Sequence, residues 1–60
     1  MDNSRITMQN CMSYINEAKW EIENLRRIIT SDNAKTEIEL AYSSLNDSWN
    51  HCNTALHKIQ

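Results

Sequence analysis

A chain of 60 residues is one small domain; it buries only ~60% of its unfolded surface even when well packed, so it needs help from a disulfide, a metal or, first among these, self-association. The absence of Gly, Pro and Phe excludes phosphate-cradling and dinucleotide-binding loops, which use glycine where the backbone must approach a ligand. Six Lys/Arg against eight Asp/Glu give a formal net charge of −2, and with only Arg26 and Arg27 adjacent the chain lacks the electrostatic footprint of a nucleic-acid binder.

The start, MDNSRITMQNCMSYINEAK, interrupts every apolar pair with polar residues and carries no continuous apolar stretch of a signal peptide. No run approaches the ~18 apolar residues of a membrane span, so the expectation is a cytoplasmic protein without a membrane partner.

From Met8 onward, Met8, Cys11, Ile15, Ala18, Ile22, Leu25 and Ile29 follow steps of three and four, one stripe of an amphipathic helix. With Ile15 at heptad position a, Cys11, Ala18 and Leu25 are d residues, Trp20 falls at f opposite the stripe, and Asn10, Ser13, Asn16, Glu17, Glu23 and Arg27 face solvent. Asp2, Asn3 or Ser4 can supply the N-cap. A second stripe, Ile38, Ala41, Leu45, Ser48, Cys52, Ala55 and Ile59, is out of phase with the first by two residues. The slip coincides with Thr30-Ser31-Asp32-Asn33, short polar residues that favour caps and turns over helix interiors. Ser31 or Asp32 is expected to cap the second helix, and Asn33 to take a left-handed turn conformation. The fold class is therefore all-α: one antiparallel two-helix hairpin over 1–60, with helix 1 about 4–30, the turn about 31–33 and helix 2 about 34–59, pairing into a four-helix bundle homodimer. The alternative is one continuous helix of ~90 Å in a long coiled coil. In the hairpin, facing residues have numbers summing to about 63, which sets Cys11 against Cys52, Ile15 against Ser48, Ala18 against Leu45, Ile22 against Ala41 and Leu25 against Ile38.

That pairing brings Cys11 and Cys52 together near the open end, where a disulfide would stabilise by on the order of 4 kcal/mol; the alternative is two thiols packed as small hydrophobes. A metal site built on Cys11, Cys52 and His51 lacks paired ligand spacing, His51 and His57 read as rim residues, and Met1, Met8 and Met12 as initiator and packing residues. No metal, cofactor or catalytic residue is expected, since Glu17, Glu21, Glu23, Glu37, Glu39 and Asp47 occupy solvent-facing positions and no inward Glu-xx-His pair exists. Glu23 and Arg27 form a surface i,i+4 pair.

The feature that exceeds a plain hairpin is Tyr42, Trp49 and Leu56, recurring every seven residues at position e. This row widens the apolar stripe beyond what one partner helix covers and points to self-association or partner binding. The alternative is a first helix packed off-centre, with Tyr14 and Met12 covering Trp49. Trp20 and Leu40, projected away from the stripe, add a further contact surface.

Asn33-Ala34-Lys35, followed by Ala41, Leu56 and Ile59, resembles an uncharacterised family of short helical-hairpin proteins of spore-forming Firmicutes, over roughly Met8 to Ile59. The chain departs from that pattern in carrying Trp and Cys where the family has aliphatic or polar residues. The resemblance implies a helical hairpin and brings no activity or site residues with it. The Asn- and Ile-rich composition fits an AT-rich bacterial or phage genome. The function expected is a small non-enzymatic interaction module, homodimeric and binding an unidentified protein. Two alternatives are a monomeric regulator or inhibitor that uses the Tyr42/Trp49/Leu56 row against an enzyme or sensor, and a redox-responsive or metal-binding hairpin built on Cys11 and Cys52.

Overall fold

The computed structural model describes residues 3–59. Two helices, α1 (Ser4–Ile28, 25 residues) and α2 (Asp32–Lys58, 27 residues), run antiparallel in a rod of 49 × 14 × 10 Å. Among the described residues there is no strand, so the chain is an all-helical hairpin and the single long helix does not form.

The reversal comes earlier than residues 31–33. α1 ends at Ile28, and Ile29, Thr30 and Ser31 make the link, with Ile29 (ψ 136°) and Ser31 (ψ 122°) both extended. The Ser31 hydroxyl accepts the Ala34 N–H at 3.3 Å, a side-chain cap for one of the four amides that a helix start leaves unpaired. Asp32 then places its carboxylate in the first turn, where the helix dipole favours it. Asn33 lies inside α2, and no described residue has a positive φ. The three-residue link turns the chain with Ile29 and Ser31 extended and without a left-handed residue, so the hairpin forms without glycine. At the other start, Asn3 occupies the N-cap position without a side-chain cap bond, although its carbonyl accepts the Thr7 N–H at 2.9 Å. Ser4, a second capping candidate, is the first residue of α1, and Asp2, the third, lies outside the described residues, as does Met1.

The seam between the helices differs from the expected one. On α1 and its C-cap, Met12 is buried and Met8, Ile15, Lys19, Ile22 and Ile29 are half-buried; on α2 and its C-cap, Ile38, Tyr42, Leu45, Trp49, Cys52, Leu56 and Ile59 are half-buried. Both helices keep their a rows but fill the seam with e residues in place of d residues. Cys11, Leu25, Ala41 and Ser48 are exposed, and Ala18 and Ala55 only half-buried. At about 100° per residue, exchanging d for e turns each helix by roughly 50° about its axis. The driving force lies in the side chains. An e row of Tyr42, Trp49 and Leu56 offers far more apolar area than a d row of Ala41, Ser48 and Ala55, and burial is favourable at roughly 25 cal/mol per Å². On α1 the e row includes Lys19, half-buried, and Arg26, exposed, whose charged ends reach across to α2.

Those charged ends fix the register. Lys19 Nζ donates to Asn46 Oδ1 at 3.0 Å and sits 5.3 Å from the centre of the Tyr42 ring. Arg26 bridges to Glu39 at 3.3 Å and to Glu23 at 3.5 Å. At the open end, Arg5 Nη1 donates to the Leu56 and Ile59 carbonyls, both at 3.2 Å, placing a cation on the C-terminus of α2. Cys11 and Cys52 are free thiols. Rotation of α1 carries Cys11 out of the seam and puts Met12 there, so the clasp expected of a disulfide is made instead by Arg5.

Candidate interaction surface

Because the helices run in opposite directions, turning both toward their e rows brings the two d rows onto one side of the hairpin and the two b rows onto the other. The cross-helix bonds agree with this geometry: Lys19–Asn46 and Arg26–Glu39 each join an e residue of α1 to a b residue of α2.

The b side is polar. Asn16, Glu23, Glu39, Asn46 and Asn53 line it, and near the turn it carries an open depression of ≈ 210 Å³ between Ile22, Glu23, Arg26, Glu39 and Tyr42. Trp20, 70% exposed, borders an adjoining depression with Lys19, Glu23, Arg27 and Tyr42. Opposite charges alternate here, so the ion pairs are solvated and contribute little individually.

The d side has a small-residue, largely apolar middle and a mixed rim. Cys11, Ala18 and Leu25 from α1 lie alongside Ala41, Ser48 and Ala55 from α2, and Tyr14 (69% exposed) and Ile28 (75%) stand at its α1 rim. Spacing alone does not distinguish this side, because its residues read as the seam itself. The signal was present as a surplus: each helix carries both an a/d and an a/e stripe, and a pair of helices can close over only one of them.

The row Tyr42, Trp49 and Leu56 is half-buried inside the hairpin, close to the off-centre packing alternative, with Met12 (8% exposed) the one side chain classed as buried among the described residues. Tyr14 stays exposed and Met12 alone of that pair enters the seam. The Trp49 indole Nε1 is buried without a hydrogen-bond partner. Leu40, 58% exposed, projects from the outer face of α2, opposite the seam. The structure thus separates the five residues singled out from sequence: three belong to the seam, while Trp20 and Leu40 remain on outward surfaces.

No group of three His, Cys, Asp or Glu side chains is placed to hold a metal ion among the described residues. Glu17, Glu21, Glu37, Asp47, His51 and His57 are exposed, and His57 uses Nδ1–H to donate to the Asn53 carbonyl at 2.8 Å. No helix among the described residues is long and apolar enough to cross a membrane. Compared with family models, curated proteins and solved structures, the chain matches none.

Proposed function

We propose that this protein is a small, non-enzymatic interaction module whose hairpin associates first with a second copy of itself, as a four-helix bundle, and offers the remaining outward surface to another protein. The observation that carries the reading is incomplete burial. The chain exposes 4816 Å² at 7.1 kDa, whereas a compact monomer of that mass exposes about 4,100 Å². The excess, roughly 700 Å², is close to the ~800 Å² that each partner contributes to a standard protein interface. A two-helix rod with one buried side chain among the described residues has a core typical of half a bundle.

In such a dimer Trp20 and Leu40 stay available to a different protein, and aromatic side chains of this kind are frequent binding anchors. Light scattering on a size-exclusion column, in reductant and over a range of concentrations, tests the proposal. A mass of twice 7.1 kDa is the expected result. A folded chain of single mass at every concentration would sink self-association and leave a monomeric regulator, docking through Trp20 and the adjoining depression, as the reading to pursue.

A further inference from the structure

We infer that the second copy docks on the d side of the hairpin, face to face, about a two-fold axis that crosses the helices near Ala18 and Ser48. The inference rests on the self-association proposed above and specifies its surface and geometry. Three observations lead to it. The surplus of exposed area matches one partner's share of a standard interface. The mid-rod side-chain bonds between the helices, Lys19–Asn46 and Arg26–Glu39, lie on the b side, and covering that side would desolvate them. The middle of the d side is formed by small residues, Ala18 and Ser48, which permit close approach of helices.

Charge selects between the two ways of stacking identical faces. With the axis across the helices, each helix lies antiparallel on its own copy. Ala18 then meets Ala18 of the second copy and Ser48 meets Ser48. Leu25 fits over Cys11 of the second copy, large against small, and Ala41 lies level with Ala55. The same operation brings Glu37, at the turn end of α2, to the level of Lys58 at the open end of the copy, twice by symmetry. With the axis along the helices, α1 lies on α2 of the copy; Glu37 then meets Ile28, because Arg27 lines the depression on the polar side, and Lys58 lies beside Thr7 with no carboxylate. Opposite charges at an interface rim favour the first arrangement and fix its register.

Ser48→Glu places two carboxylates at the centre of this interface, while Asn16→Glu puts the same charge at the same level on the polar side. Both positions are exposed in the hairpin, so helicity measured by circular dichroism should stay near that of the unaltered chain. The expected result is a dimer that Ser48→Glu weakens at least about 100-fold and Asn16→Glu leaves within about threefold. A second variant gains a signal. Leu25→Cys in a Cys52→Ser background, treated with a mild thiol oxidant that accepts the two electrons, should form disulfides joining position 25 to Cys11 of the other copy. Within one chain those positions are ~21 Å apart along α1 and cannot be linked. A dimer indifferent to Ser48→Glu and lacking that cross-link would overturn the docking face while leaving self-association intact. A chain monomeric up to about 1 mM would overturn both.

Discussion

Replacing Trp49 by alanine decides between the two seams. In an a/d hairpin Trp49 stands outside the contact, and its removal from a monomer is nearly neutral. In the observed a/e seam it is half-buried, level with Ile15. Full burial of an aromatic side chain makes truncation to alanine cost 3–5 kcal/mol, so half-burial scales to about 2 kcal/mol. For a chain this short total stability is roughly 3–9 kcal/mol, so the loss is a large fraction of the whole. Trp20, 70% exposed, is the internal control, and Trp20→Ala should stay within about 0.5 kcal/mol. Urea unfolding followed by helicity, in reductant and at one fixed concentration, measures both. Trp49→Phe adds a third arm: it gives up part of the ring area but also removes an indole N–H left buried without an acceptor, a group whose desolvation costs about 1–3 kcal/mol. Its net effect should be under about 1 kcal/mol. Equal effects of Trp49→Ala and Trp20→Ala would refute the seam described here.

Other expectations concern the two ends and the thiols. Arg5→Ala should cost about 1 kcal/mol, a solvent-exposed share of what hydrogen bonds from a charged group contribute, and should raise amide exchange in the last turn of α2 about fivefold. Unchanged exchange there would mean that the guanidinium does not hold the open end. Ser31→Ala removes the one side-chain cap at the link and should lower stability by about 1 kcal/mol, read as a shift in the urea midpoint without a change in slope. At high dilution Cys11, exposed, should be alkylated before Cys52, half-buried. Oxidant should leave the dilute monomer with two alkylatable thiols, and an internal disulfide found by mass spectrometry would contradict the rotation that separates them.

The helical hairpin and the a rows of both helices were legible from spacing, since Met8, Ile15, Ile22 and Ile29 and then Ile38, Leu45, Cys52 and Ile59 repeat every seven residues. The cap at Ser31 was legible from side-chain chemistry. What spacing could not choose was the second half of each stripe. On α1, counting Lys19 and Arg26 as polar favours Cys11, Ala18 and Leu25, because an apolar tally gives no credit to a methylene stem under a charged head. With that choice on α1, the aromatic row of α2 reads as a surplus rather than as the seam. The position of the turn is not legible for a different reason: Asn33 looks like the left-handed residue a glycine-free turn needs, yet the link at 29–31 reverses the chain without one.

The cations of α1 also act as a key. Arg5, Lys19 and Arg26 each reach a named acceptor on α2. Sliding one helix by a heptad, roughly 10 Å, would restore the apolar phase yet take Arg5 off the end of α2, and a three-residue link cannot stretch to allow it. An apolar seam alone reads the same every seven residues. Here the chain breaks that degeneracy with charge, so among all the alignments that grease would accept, the two helices recognise one.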